Sequence, residues 1–318
     1  MKKSNKACVF SVPRAVLNIN KKYDYPIYRK VDEKIFRILL DKNNVYDERK
    51  DLFIRDENIE QVFIDVQDKL KYQDDIQEHI SNIIDDDNIS LNIKAGLIND
   101  IAKETVNDLF ENELDFKKLQ KVDNLLSNSI DFILKDDTAL DTMLKITSYD
   151  YYTYTHCIDV STYCMGFGLY LGLNKDDVKL LGKAGMLHDI GKKYIDRSII
   201  CKKGRLTKEV NAIVQRHTVY SAQMLQIKGE PDIRLLRIVE QHHEKCDGTG
   251  YPKGLQEHEI DDFAKIVSIC DIFNALTTRR TYKDRMTTYD AIMLMYEKMG
   301  NELCLFYLEK FVKFLKLS

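Results

Sequence analysis

Leu187-His188-Asp189-Ile190-Gly191-Lys192 places an imidazole, a carboxylate and an amine close together at the end of an apolar helical stripe. Adjacent residues on a helix point about 100° apart, so His188 and Asp189 can reach two points of one cavity. An imidazole beside a carboxylate at a helix end can serve a pair of metal ions, with the carboxylate bridging them. The stripe consists of Val178, Leu180, Leu181, Ala184 and Leu187, and Gly191 predicts the end of the helix.

Histidine is scarce in this chain and unevenly distributed. Five of the seven histidines fall between residues 156 and 243, in segments otherwise patterned as helices. Imidazole together with carboxylate suits zinc, manganese or iron. The sequence therefore predicts that these histidines belong to the metal site of Asp189. They are His156, His188, His217, His242 and His243.

The His242-His243 pair repeats this arrangement at a second predicted helix end. The loop Glu244–Pro252 follows it directly. Glycine permits positive φ and the close approach of a backbone to a ligand, so this loop is a candidate ligand-binding segment. The glycines in and beside the loop are Gly248, Gly250 and Gly254.

Asp271 is the other carboxylate that the pattern singles out. It sits within residues 266–276, a helical run that is otherwise mostly apolar. A lone carboxylate in such a run is costly unless it is paired or bound to a metal. Asp271 is therefore a further candidate ligand.

These motifs resemble those of the HD-GYP group of the HD metal-dependent phosphohydrolase superfamily. The resemblance extends from about residue 118 to the C-terminus, and an ordered series of motifs is far more specific than a lone His-Asp dipeptide. The motifs are His188–Lys192, His217, His242–Glu244, Asp247–Pro252, Asp271 with Ala275–Thr278, and Arg280–Lys283.

The resemblance implies two divalent transition-metal ions, with iron or manganese as the favoured metals. Asp189 bridges the two ions, and a hydroxide formed between them attacks a phosphodiester, which needs no dedicated side-chain base. The first ion is held by His156, His188, Asp189 and Asp271, and the second by Asp189, His217, His242 and His243.

The resemblance also implies a substrate, the bacterial second messenger cyclic di-GMP, which the family opens to linear pGpG and often converts onward to GMP. Asp189 and Lys192 are the implied catalytic residues. Tyr251 can stack on a guanine or pin its own loop, and we favour the second role. The implied substrate contacts are Lys192, Gly250, Tyr251, Arg280 and Lys283.

Four positions depart from the pattern of the family. Tyr152 stands where some members have a glutamate that adds a third metal, which favours two ions here. Asp196, Ser221 and Asn274 replace a common proline, glycine and aspartate, and none of the three is an expected ligand. A non-catalytic receptor for cyclic di-GMP and a hydrolase of another cyclic dinucleotide therefore remain as alternative hypotheses.

Composition limits the classes of partner. A charged content of 31% and a hydrophobic content of 44% are typical of a globular protein, and a net charge of −3 gives no electrostatic case for duplex nucleic acid. No run approaches the ~18 apolar residues of a membrane span, which favours a cytoplasmic location. The seven cysteines form no C-x-x-C pair, and we interpret Cys157, Cys246 and Cys270 as buried fillers rather than ligands.

The fold class that follows is mainly α. An all-α HD-type helical domain is predicted at 116–318, preceded by a small α/β domain with a helical region at 1–115. The N-terminal region has strand-like runs at 25–28 and 61–66 and a short helix at 35–40. It is a candidate regulatory module for a protein partner, and a homodimer is a further expectation. The amphipathic segment 303–317 is predicted to dock on its own domain.

Overall fold

The computed structural model describes residues 8–33, 35–146, 153–200, 207–278 and 285–316. The chain divides into two compact units, Met1–Lys94 and Ala95–Ser318. The boundary that the sequence predicts, between residues 115 and 116, stays a prediction.

The first unit is built on an antiparallel sheet. Four strands pair in the order β1-β6-β3-β4, and β2 pairs separately with β5. Its elements are β1 (Val9–Pro13), β2 (Lys21–Lys22), β3 (Ile27–Asp32), β4 (Ile35–Leu40), β5 (Val45–Tyr46), α1 (Glu48–Asp56), β6 (Gln61–Asp65) and α2 (Lys69–Asp85).

Alternation of apolar residues explains the central strand of this sheet. Val62 and Ile64 in β6 are fully buried, and they pair with Val12 and Phe10 of β1. Side chains two residues apart on a strand share a face, so this spacing gives the sheet one core-facing side. The predicted strand at 61–66 is confirmed, and the one predicted at 25–28 begins two residues later, at Ile27.

The short helix predicted at 35–40 is wrong, because these residues form strand β4. Phe36 and Ile38 lie opposite Lys30 and Tyr28 of β3. A short apolar run fits the periodicity of a helix or a strand, and β-branched and aromatic residues favour the strand once a neighbour can pair with it.

The second unit is helical throughout its described residues, apart from isolated bridges and turns. Its helices are α3 (Leu91–Glu111), which begins just before the boundary, α4 (Phe116–Lys135), α5 (Ala139–Ile146), α6 (Thr153–Tyr170), α7 (Lys175–Leu187), α8 (Arg197–Ile200), α9 (Lys208–Gln215), α10 (His217–Ile227), α11 (Ile233–Gln241), α12 (Asp262–Thr277), α13 (Thr288–Met299) and α14 (Leu305–Leu315).

Helix α7, which leads into the His188-Asp189 pair, lies at the centre of this unit. It packs against α4, α6, α11 and α12. The Lys183 amine of α7 is buried and lies 3.0 Å from Asp123 of α4 and 2.7 Å from Glu230, just before α11. Breaking one partner out of a buried ion pair typically costs about 3–5 kcal/mol, so these contacts help to hold α7 in place.

The C-terminal helix α14 docks on its own domain, as the sequence predicts. The ring of Phe311 lies 5.1 Å from that of Phe167 in α6 and 5.2 Å from that of Phe273 in α12. Within the described ranges, every helix is too short or too polar to span a lipid bilayer.

Candidate metal centre

Helix ends place most of the candidate ligands. His188 is the C-cap residue of α7 and His242 is that of α11, while His217 follows directly on the C-cap of α9. His156 lies in the first turn of α6, and Asp271 lies in the buried middle of α12. The predicted ends of two helices at His188 and His242 are thus confirmed.

The structure brings the candidate ligands together in two clusters. His156, His188 and Asp271 form the first, which we call the carboxylate cluster, and His156 Nε2 lies 3.0 Å from Asp271 Oδ1. The second, the imidazole cluster, consists of His217, His242 and His243. In each cluster the three candidate ligand atoms lie within 4.8 Å of one another.

Asp189 lies between the clusters. Its Oδ2 is 3.3 Å from His188 Nε2 in the carboxylate cluster, and its Oδ1 is 3.3 Å from His217 Nε2 in the imidazole cluster. Each oxygen therefore faces a different group of ligands. This is the arrangement expected of a carboxylate that bridges two cations.

Main-chain carbonyls orient three of the imidazoles. Each ring directs Nδ1 at the carbonyl three residues earlier in the chain, which leaves Nε2 facing the centre of the site. The last carbonyls of a helix lack intrahelical partners, so a histidine at a helix end finds an acceptor there. The pairs are His188 with Gly185 (2.8 Å), His217 with Val214 (2.7 Å) and His242 with Val239 (2.8 Å).

The chemistry of the buried atoms fits metal ions. His188 and Asp189 are 1% exposed, yet within the described part of the chain neither His188 Nε2 nor Asp189 Oδ1 makes a hydrogen bond. Buried polar atoms are normally paired, because desolvation of an unpaired one is costly. Two such atoms facing other imidazoles and carboxylates are suited to a shared cation of the zinc, manganese or iron type.

Electrostatics keep most of the candidate ligands in the form that binds cations. The exception is His188, whose pKa is lowered by burial but raised overall by the neighbouring Asp189 carboxylate. Burial opposes the charge of Asp189, but Lys192 and the neighbouring histidines outweigh it and hold the carboxyl pKa well below its usual value. Burial lowers the pKa of His217 to about 4 and that of His243 to about 3, so both rings are neutral near pH 7. A neutral imidazole and an ionised carboxylate are the forms that coordinate metals.

Lys192 lies beside Asp189, as expected of a residue that contacts a substrate phosphate at the metal centre. Its amine is 2.5 Å from Asp189 Oδ2, and the residue belongs to the 3₁₀ turn Ile190–Tyr194 that follows α7. The other two cationic candidates, Arg280 and Lys283, lie outside the described residues, as does Tyr152.

The loop after His243 is held against the site. The buried Glu244 carboxylate accepts the backbone N–H groups of Lys253 (2.7 Å) and Leu255 (2.9 Å). Tyr251 lies over His243, with ring centroids 4.9 Å apart, and its N–H donates to the carbonyl of the same histidine. These contacts agree with the loop-pinning role of Tyr251. They also give Glu244, which is part of the motif His242–Glu244, a structural role that the motif alone did not predict.

Glycine plays different roles in this loop. Gly248 and Gly254 adopt positive φ, as the sequence predicts, whereas Gly250 is needed for space. A Cβ at Gly250 would lie 2.2 Å from the backbone nitrogen of Lys245, so any side chain would open the turn. Its role as a substrate contact stays a prediction.

The Gly191–Ser221 contact joins the segment of Asp189 to the helix of His217. A Cβ at Gly191 would lie 2.1 Å from the carbonyl oxygen of His217. Ser221 accepts the N–H of Gly191 and donates to the carbonyl of His188, both at 2.8 Å. The serine at this position therefore supports the His-Asp segment directly.

Asn274 and Asp196 also have structural roles. Asn274 Oδ1 lies 2.7 Å from His156 Nδ1, which places the residue behind a candidate ligand. The exposed Asp196 precedes α8 and accepts the N–H and hydroxyl of Ser198. Neither residue belongs to either cluster, in agreement with the sequence analysis.

Cys157 lies closer to the ligands than the sequence reveals. It is fully buried, and its sulfur belongs to a third potential ligand group together with His188 and Asp189. Burial raises the pKa of its thiol well above the usual value, which agrees with its interpretation as a packed, protonated side chain. The adjacency of Cys157 to His156 was the available signal.

The helical unit that carries both clusters is similar to known proteins. A family model described as HD domain matches residues 121–303, which is more than half of the chain. The chain belongs to the HD domain family. The motifs at His188-Asp189 and beyond lie within the matched range, and the resemblance to the HD-GYP group is confirmed.

Curated relatives carry phosphodiesterase names. The chain is 34% identical over 169 residues to cyclic di-GMP phosphodiesterase PA4108 of Pseudomonas aeruginosa, covering 53% of this chain and 41% of that protein. It is 30% identical over 191 residues to 3'3'-cGAMP-specific phosphodiesterase 1 of Vibrio cholerae, covering 60% and 40%. The chain thus spans about two fifths of the length of each.

A solved structure has the same fold. Bd1817, a HDG"Y"P protein from Bdellovibrio bacteriovorus, matches with a TM-score of 0.66 at 21% identity, over 97% of this chain and 99% of that one. This similarity covers both compact units, and it confirms the predicted fold class of a helical HD-type domain with a small N-terminal α/β part.

Proposed function

We propose that this protein is a metal-dependent phosphodiesterase that hydrolyses cyclic dinucleotides, with cyclic di-GMP as its principal substrate. The observation that carries the proposal is the position of Asp189, whose two oxygens each lie 3.3 Å from a histidine of a different cluster. A bridging carboxylate between two sets of ligands is what a two-metal phosphodiesterase needs.

The ligand atoms divide naturally between two divalent ions. Asp189 would serve both sites together with the carboxylate cluster on one side and the imidazole cluster on the other. When bound, such ions activate water as a nucleophile and offset the charge of a phosphodiester. Iron and manganese are the candidates that we propose.

The remaining chemistry falls to the side chains around the clusters. The Lys192 amine, beside Asp189, is placed to approach a bound phosphate and to offset the negative charge that grows as phosphorus gains a fifth ligand. Arg280 and Lys283 are proposed to contribute in the same way. Tyr251, whose ring is tilted over that of His243, would exclude water from that side of the site and offer a ring edge to a guanine.

A second substrate deserves a direct comparison. One relative is named for cyclic di-GMP and another for 3'3'-cGAMP. The two dinucleotides share the same phosphodiester ring and differ in one base. We therefore propose 3'3'-cGAMP as the alternative substrate, with linear pGpG or GMP as the products expected from cyclic di-GMP.

The decisive experiment is a product assay with metal-loaded protein. Protein loaded with Mn²⁺ or Fe²⁺ is incubated with each dinucleotide separately and with both in competition, and products are separated by chromatography. The proposal requires a linear product, and preference for cyclic di-GMP in competition. Tight binding with no turnover would instead favour the receptor hypothesis.

Two histidine variants provide the matched control for this assay. His242→Ala removes a fully buried candidate ligand, whereas His258→Ala changes a histidine outside both clusters. We expect the first to abolish turnover and the second to retain it. Equal activity of both variants would contradict the proposal.

The N-terminal region is proposed to regulate this activity or to bind a protein partner. Its predicted span of 1–115, the HD-GYP domain at 116–318, and the expectation of a homodimer are part of the same proposal. The homodimer can be tested with the full chain at increasing protein concentration. Its mass in solution and its rate of product formation are measured at each concentration.

A further inference from the structure

One imidazole of the candidate metal centre is oriented differently from those that point at main-chain carbonyls. His156 lies in the first turn of α6, where the carbonyls point into the helix to accept later N–H groups. Its Nδ1 instead lies 2.7 Å from the side-chain Oδ1 of Asn274, which reaches it from α12. The orientation of this ring thus depends on a side chain, whereas that of His188 depends on the backbone.

Asp159 in turn fixes the orientation of Asn274. The amide nitrogen Nδ2 of Asn274 donates to Asp159 Oδ2 at 3.4 Å, and Asp159 lies one turn after His156 on α6. An ionised carboxylate only accepts hydrogen bonds, so the amide nitrogen must face Asp159 and the amide oxygen must face His156. All three side chains are 2% exposed, and water therefore offers little competition.

The tautomer of His156 follows from this chain of donors and acceptors. Because Asn274 presents an oxygen, His156 must carry its proton on Nδ1. Nε2, which lies 3.0 Å from Asp271 Oδ1, is then the ring nitrogen that would face a cation bound in the carboxylate cluster. Partners that fix the tautomer of a ligand histidine tune metal affinity.

We propose that Asp159 and Asn274 form a positioning pair, which holds His156 as the Nδ1-protonated tautomer and thereby sets the metal affinity of the carboxylate cluster. The inference rests on the metal-binding part of the proposed function and adds two residues that are not ligands. It also explains how asparagine can replace the aspartate of the family pattern at position 274. The carboxylate is supplied by Asp159, which contacts Asn274 rather than His156.

The pair can be tested by exchanging its two side chains. Asn274→Asp alone sets two carboxylates against each other in a buried place, which is unfavourable. Asp159→Asn alone replaces a group that only accepts with an amide that can also donate, so the amide of Asn274 can turn its nitrogen towards His156. The double variant Asp159→Asn/Asn274→Asp restores an amide donor facing a carboxylate, which then accepts from His156.

Affinity for Mn²⁺ alone is the first measurement, made on the full chain after removal of metals. Each single variant is expected to bind the ion of the carboxylate cluster about 10–100-fold less tightly, and the double variant to recover most of that loss. Ser268→Ala, a buried polar change six residues earlier on α12, is the matched control and should bind as the wild type. Wild-type affinity in both single variants, or no recovery in the double variant, would overturn the proposal.

The second measurement is made on the wild-type protein, loaded with the diamagnetic ion Zn²⁺. Nitrogen chemical shifts of the protein labelled with ¹⁵N-histidine report which ring nitrogen carries the proton, and His156→Gln serves only to assign the signal of His156. The Nδ1-protonated form is expected, and the Nε2-protonated form would overturn the proposal. If no dinucleotide is hydrolysed, the proposed function fails, while the Mn²⁺ affinities and the tautomer still decide the positioning pair.

Discussion

The two clusters of the candidate metal centre differ in the charge of the ligands that they offer to a cation. The carboxylate cluster contains Asp271 and shares Asp189, so two negative charges face its cation, whereas the imidazole cluster has only the shared charge of Asp189. Its three neutral rings compensate through number rather than charge. The two cations should therefore differ in affinity, with the carboxylate cluster binding its ion more tightly.

The largest effect is expected from Asp189→Asn, which removes the residue common to both clusters. Both ions lose a ligand, so the metal content should fall towards zero. Activity should fall by more than about 100-fold, which is the upper end of the loss typical for a residue that only hydrogen-bonds to a ligand. Elemental analysis together with the dinucleotide assay measures both quantities. Asp196→Asn, at an exposed position nearby that still caps α8, serves as the control.

Asp271→Asn and His243→Ala would separate the two clusters. Each change removes a ligand of one cluster only, so metal content should fall from two ions towards one in both variants. Because the carboxylate cluster is the tighter site, the ion that remains in the His243→Ala protein should resist a chelator better. Asp262→Asn, on the same helix as Asp271, should retain both ions. Indistinguishable chelator resistance of the two ligand variants would contradict the difference between clusters.

Lys192→Met is expected to separate turnover from metal binding. The Lys192 amine and a cation compete for Oδ2 of Asp189, so its removal should leave metal affinity equal or higher. Loss of a group that stabilises developing charge typically lowers kcat by about 10²–10³-fold. Titration with Mn²⁺ and steady-state kinetics measure the two effects. Lys193→Met, whose amine bonds the carbonyl of Leu109 instead, is the neighbouring control. A parallel loss of metal and activity in the Lys192 variant would count against this role.

The smallest effect concerns the contact that joins the two clusters. Ser221→Ala leaves the buried N–H of Gly191 without its acceptor, which should lower the free energy of unfolding by about 1–3 kcal/mol. Chemical denaturation of the metal-free protein gives this value, with Ser268→Ala as the buried comparison. Unchanged stability would indicate that another group takes over the bond.

The sequence predicted the helical unit better than the sheet. Apolar periodicity that stops at a capping residue identifies an element and its end together, which is why the ends at His188 and His242 were predicted. Strand β4 was not, because a run of six apolar-rich residues fits two periods and only the pairing with β3 selects one. Strand pairing is non-local information that a single segment does not contain.

The candidate site shows the same limit. The ligand types were predictable, since imidazoles and a buried carboxylate in helices are unusual enough to stand out. The contact between His156 and Asn274 was not, because 118 residues separate them and a helix pattern says nothing about which helices pack together. The role of Glu244 was not predicted for a similar reason, since its partners Lys253 and Leu255 become its neighbours only in the folded loop.

The missing side chain at Gly191 has a consequence for the spacing of the two clusters. There the main chain of the 3₁₀ turn after Asp189 packs directly against the carbonyl of His217, with no side chain between them. A side chain can change rotamer and move a ligand by an ångström or more, but a main-chain contact cannot. The distance between the carboxylate cluster and the imidazole cluster is therefore set by the backbone. Surrounding side chains can be substituted without changing it.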